Sequence, residues 1–168
     1  MFNSLSIANY FLSLSFKEGN LVSPMKLVKL VYIAHGWHLG LTSRPLIKET
    51  TEAWMYGPVV PVIYRAFKPY GNKPIKRLYF ESPEVIGDYN RINHSNGLPD
   101  FLTEVWNKYK TFSATQLSDL THQMNTPWFD TWHKNHGAIR SGAVIPNDSI
   151  MEHYKVKALK DTKDYERA

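Results

Sequence analysis

A chain of 168 residues, 43% apolar and 14% aromatic, is long enough for one domain with a full hydrophobic core and too apolar for a disordered segment. The absence of cysteine excludes disulfides, thiolate catalysis and cysteine-ligated zinc, and suits a reducing compartment. Twenty Lys and Arg against fifteen Asp and Glu leave a net charge of +5, an excess that favours acidic partners without requiring one.

The opening residues MFNSLSIANYF lack the basic region of a signal peptide. No apolar run approaches the ~20 residues a bilayer span requires, so a cytoplasmic chain with no membrane role is expected. Asn3 or Ser4 caps a first helix with Leu5, Ala8 and Leu12 at helical spacing, and Gly19-Asn20 stops it. Ser23-Pro24 pairs an N-cap with proline at the first helical position. The helix behind it, running through Leu27, Leu30, Val31, Ile33, Ala34, Trp37 and Leu39, is apolar nearly all round, which marks a central buried element. Lys26 and Lys29 share a stripe with Ile33, Gly36 and Gly40, where the glycines would let another backbone approach.

Thr51 to Tyr56 alternates and reads as a short strand, with Trp54 and Tyr56 on one side and Ala53 and Met55 on the other. If Ala53 and Met55 face the core, two aromatics stand exposed; the reverse makes them ordinary packing. Pro61 opens a brief helix with Ile63 and Phe67 facing one way, closed by Pro69-Tyr70-Gly71. Lys76 to Glu81 is expected as a second strand and Asp88 to Pro99 as loop. Helices return at Phe101 to Phe112, after the capping box Ser113-Ala114-Thr115-Gln116, and after Thr126-Pro127, where Trp128 and Trp132 share a face. A last helix is expected from about Asp148 to Leu159, with 160–168 a frayed charged end. No repeat or linker divides the chain, so residues 1–168 are expected to form one domain. The fold class is mainly α: about six helices around a central apolar helix, with a small β element.

The spacing holds little that resembles catalysis. His35 and His38, and again His133 and His136, are three apart, and with His122 or Asp130 they could frame a metal. Neither pair has the H-E-x-x-H form, and a histidine turned to the core more commonly bonds a backbone carbonyl. There is no G-x-S-x-G elbow, P-loop or G-x-G-x-x-G fingerprint, and Glu49 and Glu52 show no acid–base asymmetry. No catalytic residue, metal or cofactor is assigned, and a non-enzymatic binding module is expected.

Arg65, Lys68, Lys73, Lys76 and Arg77 fall within thirteen residues that contain no acid, interleaved with Tyr64, Phe67, Tyr70 and Tyr79. Such a run suits phosphate neutralisation with base stacking, or an acidic protein surface, or simply a solvated loop with its aromatics turned inward. Trp, Tyr and Arg are also the usual anchors of protein interfaces.

The wording of the chain from Lys26-Leu27-x-Lys29-Leu30-x-Tyr32, through His35-Gly36-Trp37, to Glu52-Ala53-Trp54-x-Tyr56-Gly57-Pro58-Val59 resembles the Panacea domain family of SocA-like, phage-associated antitoxins. Pro61, Tyr64, Leu117-Ser118-x-Leu120-Thr121-His122 and Pro127-Trp128 extend the likeness over about residues 25 to 130. The resemblance implies a mostly helical domain that binds and silences a cognate toxin protein encoded by a neighbouring gene. It also implies that some relatives deliver the toxin to a protease. Other relatives carry an added DNA-binding segment; the domain here begins near residue 1, so self-repression of an operon is not expected. The matched residues themselves fit packing and turn roles. Trp54, Tyr56, Tyr64, Arg65 and Lys68 are therefore assigned as contact candidates from their chemistry. The alternative is a nucleic-acid-binding regulator or proteolytic adaptor using the basic 65–77 segment.

Overall fold

The computed structural model describes residues 1–136 and 142–165, with side chains to 161. Asn3 accepts the Leu5 amide and opens α1 (Ser4–Glu18), which Gly19 ends in the left-handed conformation. Ser23 and Pro24 open α2 (Pro24–Thr42) as their sequence dictates. A hairpin follows, β1 (Thr51–Trp54) and β2 (Gly57–Val59), then α3 (Pro61–Phe67) and a 3-10 turn at Lys68–Tyr70. The remainder is α4 (Pro83–Asn93), α5 (Leu98–Tyr109), α6 (Ala114–His122), α7 (Pro127–Lys134), β3 (Ala143–Ile145) and α8 (Asn147–Tyr165). The architecture is mainly α with a minor sheet, as expected, though with eight helices among the described residues rather than about six.

The helix α2 is the hub. It packs on α1, α3, α5 and α6 and most extensively on α8. Leu27, Leu30, Val31 and Ala34 are sealed from solvent, and so is His35. The two glycines of α2 do what their spacing implied. A Cβ on Gly40 would lie 2.7 Å from the Tyr154 backbone carbonyl carbon, and one on Gly36 would overlap the Tyr154 ring. Both lysines of that stripe end on backbone carbonyls. Lys26 donates to the Lys110 carbonyl at the end of α5 (2.6 Å), and Lys29 to the Pro58 carbonyl in β2 (3.0 Å).

The sheet order is β2-β1-β3, antiparallel throughout. Ala53 stands opposite Pro58 on one side and Ala143 on the other. Thr51 and Ala53 face the core, Glu52 and Trp54 face outward, and Met55-Tyr56 form the turn instead of extending the strand.

Three sequence expectations are corrected. Lys76 to Glu81 is not a strand, because the Asn9 side chain occupies the ladder groups of Tyr79: it accepts the Tyr79 amide (2.8 Å) and donates to its carbonyl (2.7 Å). The second strand is β2, and β3 comes from the C-terminal third. Asp88 to Asn93 is not loop but the latter half of α4, whose Val85, Asp88 and Ile92 turn inward. Its start at Ser82-Pro83 repeats the signature seen at Ser23-Pro24 and Thr126-Pro127, although the Ser82 side chain caps nothing. The helix α8 runs past Leu159 to Tyr165, and Lys108 holds Asp161 at 2.9 Å. Residues 166–168 of the charged end lie outside the described residues, as do residues 137–141. Among the described residues no helix is long and apolar enough to cross a membrane.

The two kinds of glycine should separate cleanly on mutation. Gly40→Ala drives a methyl into backbone and should cost about 2 kcal/mol, a fall of several degrees in Tm. Gly87→Ala, in α4 with nothing within 4 Å of the added carbon, should stabilise by about 0.5 kcal/mol. Thermal unfolding followed by circular dichroism checks both.

Candidate functional site

The hairpin β1–β2 is fastened from beneath by side chains gripping its backbone. Three successive carbonyls at its tip lie against side chains of α6 and α7. Trp128 Nε1 donates to the Trp54 carbonyl (2.8 Å), His122 Nε2 lies 3.2 Å from that of Met55, and Ser118 Oγ donates to that of Tyr56 (2.8 Å). With Lys29 on the Pro58 carbonyl, four of the five residues from 54 to 58 are anchored through main-chain oxygen. Gly57 between them has φ +102°, and a Cβ there would meet the Lys29 amine at 2.9 Å and Thr121 Oγ1 at 3.0 Å. Glycine is required at this position on both counts.

Because the backbone is held, the side chains at the tip are free to face solvent. Tyr56 is 66% exposed and Met55 is 55% exposed. They stand at the mouth of a cleft of about 430 Å3 between the hairpin, the start of α2 and the end of α3. α2 contributes Met25, Val28 and the stem of Lys29. The hairpin adds Trp54 and Val59 behind Met55 and Tyr56. Tyr64, Lys68 and Gly71 close the third side. Trp54 and Tyr64 meet edge to face at 4.9 Å, and Glu52 accepts the Trp54 indole N–H at 2.8 Å.

Four of the five sequence-assigned contact candidates, Trp54, Tyr56, Tyr64 and Lys68, therefore line one cleft. Arg65 is exposed on α3 beside it and does not line it. Neither sequence alternative for the 54–56 segment holds whole: Ala53 is core and Met55 is not, while Trp54 is half-buried and Tyr56 is out. Sequence reasoning missed Met25, Val28 and Met55 as lining residues, since apolar side chains in a core-like pattern carry no sign of exposure. Lys29 did carry a signal, being, with Lys26, one of two lysines in a helix that is apolar nearly all round.

Burial pushes the Lys29 amine down to about 7 from its ordinary 10.5. The folded chain thus holds this proton less tightly than the unfolded chain does. Unfolding takes protons up between pH 7 and 10.5, so stability on this account rises with pH across that window. Lys29→Met keeps the stem and removes the titration. Urea unfolding between pH 7 and 9.5 should show a smaller rise in the variant than in the parent; an identical slope would place the amine elsewhere than in a buried setting.

His35, His38 and His122 are structural contacts, and the His133 ring lies 4.1 Å from that of Phe129. His35 is fully buried; its Nε2 lies 2.9 Å from Asn147 Oδ1, so Nε2 donates, and its Nδ1 accepts the Leu46 amide at 3.3 Å. The expected carbonyl partner is replaced by an amide and a side chain. Burial pushes its pKa down to about 4, which keeps it neutral and able to accept. His38 Nδ1 meets the Arg44 carbonyl at 2.7 Å, and His122 belongs to the hairpin clamp. Among the described residues no three His, Asp or Glu side chains come together as a metal site.

The fold is thus a mainly helical domain that carries a clamped hairpin beside an apolar cleft. The sequence model of the family described as antitoxin SocA-like, Panacea domain, matches residues 27–129. The chain is similar to antitoxin SocA of Caulobacter vibrioides (strain NA1000 / CB15N), with 31% identity over 128 residues, 73% of this chain and 66% of that protein. The match thus spans just under two thirds of that relative. No solved structure matches the chain. The chain belongs to the SocA-like antitoxin, Panacea-domain family.

Loosening the clamp should affect the cleft before the core. Each neutral hydrogen bond of this kind contributes about 1 kcal/mol, so Ser118→Ala combined with Trp128→Phe should lower stability by about 2 kcal/mol. Amide hydrogen exchange should speed up in residues 54–57 while Leu30 and Val31 in α2 stay protected.

Proposed function

We propose that this protein is the antitoxin of a two-gene bacterial or phage module and neutralises a cognate toxin, encoded by the neighbouring gene, by direct protein–protein binding. The cleft face carries the contact. The observation that supports this reading is the hairpin clamp: main-chain oxygens from Trp54 to Pro58 are held by α2, α6 and α7, which leaves Met55 and Tyr56 free and pre-ordered beside Trp54 and Tyr64. Pre-ordering an aromatic-lined cleft reduces the entropy lost on binding, as a tight stoichiometric inhibitor requires. The family supports an antitoxin role in general, and the reading is non-enzymatic.

A second reading rests on the basic segment. Arg65, Lys68, Lys73, Lys76 and Arg77 are all exposed and none enters an ion pair among the described residues. A nucleic-acid-binding regulator, or an adaptor that hands the toxin to a protease, would use the same run. A steep loss of affinity for DNA or RNA with salt would favour the former.

Growth of cells induced for the adjacent reading frame, with and without this protein, tests the main reading. The neighbour alone should arrest growth, co-expression should restore it, and the two proteins should co-purify. Tyr64→Ala with Lys68→Ala should weaken rescue while the chain stays folded and still melts cooperatively, its Tm lowered only by the lost Trp54–Tyr64 contact. A harmless neighbour, or rescue with no complex, defeats direct neutralisation.

A further inference from the structure

The chemistry of the cleft narrows what can enter it. Pro58 has no N–H and its carbonyl already accepts Lys29, so at its centre β2 offers no ladder group to an added strand. Recognition here must work through side chains. A volume of about 430 Å3, walled by Val28, Val59, Trp54 and Tyr64, accommodates one or two large apolar side chains.

The rim has one sign of charge. Lys68 lines the cleft, Arg65 sits one turn earlier on α3, and exposed Lys73 lies two residues after the lining residue Gly71. No acid lies between residues 65 and 77. The acids in ion pairs among the described residues, Glu18, Glu84, Asp88, Glu152 and Asp161, pair with cations outside this run. Among the described residues no acid forms an ion pair with these rim cations, and Glu52, beside Trp54, accepts the indole N–H instead. A nucleic acid would meet the same charges but would need free aromatic faces, and Trp54 and Tyr64 close on each other edge to face; only Tyr56 stands well clear.

We propose that the cleft takes an aromatic or aliphatic side chain from an acidic segment of the partner protein, the flanking carboxylates meeting Arg65, Lys68 and Lys73. This rests on the direct-binding reading and specifies its partner: a short acidic stretch with one apolar anchor. The apolar anchor sets how long the complex lasts, and the carboxylates set how fast it forms and in which orientation.

The test uses the full chain, the neighbouring gene's product, and a phage-displayed library of random peptides of about 12 residues. The variants are Met55→Glu, which puts a charge at the cleft mouth, and the pair Arg65→Glu with Lys68→Glu. All three positions are exposed, so unchanged circular dichroism melts should accompany them. By calorimetry the rim pair should lose about tenfold or more in affinity for the toxin at about 50 mM salt and much less at about 500 mM. Met55→Glu should lose binding at both. The library should yield acidic peptides with a central Trp, Phe or Leu that bind the parent and fail on Met55→Glu. If the toxin binds parent and variants equally, this cleft is not the contact and direct neutralisation still stands. If the toxin binds nothing, direct neutralisation falls; peptide enrichment then still supports the cleft, and its absence overturns it. If single-stranded DNA binds the parent and is lost on the rim pair while no acidic peptide is enriched, the occupant is nucleic acid and the proposal is wrong.

Discussion

Because α2 is enclosed almost from end to end, its neighbours have to be fitted to it rather than beside it. A helix with no solvent face can contain a polar or small residue only where the surroundings answer it. Gly36 and Gly40 are answered by Tyr154, whose ring and backbone fill the space that side chains would need. His35 is answered by the Leu46 amide and Asn147, which ties the start of α8 and the loop before β1 to one imidazole. Lys26 and Lys29 are answered by carbonyls at the end of α5 and in β2. Each contact fixes the position of a different element against α2, so placement of the hairpin follows from the central helix and not from the sheet, which has only three short strands.

The same requirement explains how an exposed apolar and aromatic surface arises without strain in the core. A hairpin tip normally leaves several carbonyls to water. Here Trp128, Ser118 and Lys29 supply donors to the Trp54, Tyr56 and Pro58 carbonyls, and the His122 ring packs against the Met55 carbonyl, so the tip keeps most of its main-chain hydrogen bonds internally. Apolar and aromatic side chains can then project outward from a backbone that is already largely satisfied. A partner that covers Tyr56 and Met55 need not find hydrogen bonds for the chain beneath them.

Much of this was legible in the residues. The helix starts at Ser23-Pro24, at Ser113 with Gln116 and at Thr126-Pro127 follow local rules, and local rules read well. The close approach at Gly36 and Gly40 was legible too, because glycine on a buried helix has few other uses. The errors came where a long-range contact decided the outcome. Residues 76 to 81 look strand-like, but Asn9, seventy residues away, takes the ladder groups of Tyr79. The first half of α4 carried a start signal at Ser82-Pro83, and the run of Asn, Asp and Gly after it argued the other way; burial of Val85 and Ile92 prevailed. The aromatics that line the cleft could be picked by residue type, since Trp and Tyr near a Gly-Pro break are distinctive. The clamp could not. Ser118, His122 and Trp128 stood out only as part of the family pattern, with no sign of a role until the fold brings them under carbonyls more than sixty residues earlier.

Charge adds a final constraint of a different kind. The net excess of +5 is small, yet its placement is uneven: among the described residues the cations of 65–77 enter no ion pair, while Glu84 and Asp88 face Lys48 and Arg91, and Glu18 faces Lys110. Exposed charges of this sort contribute little to folding, because solvent screens them. They act at a distance of about one Debye length, before contact, and so bear on how a partner arrives. The cleft acts only after contact, through desolvated apolar area. Since the rim contributes little to stability and the cleft floor belongs to the core around α2, the rim can change its charge pattern freely while Val28, Lys29 and Val59 cannot. A fold arranged this way can alter which partner it attracts by surface substitution alone, keeping the buried helix and the clamped hairpin intact.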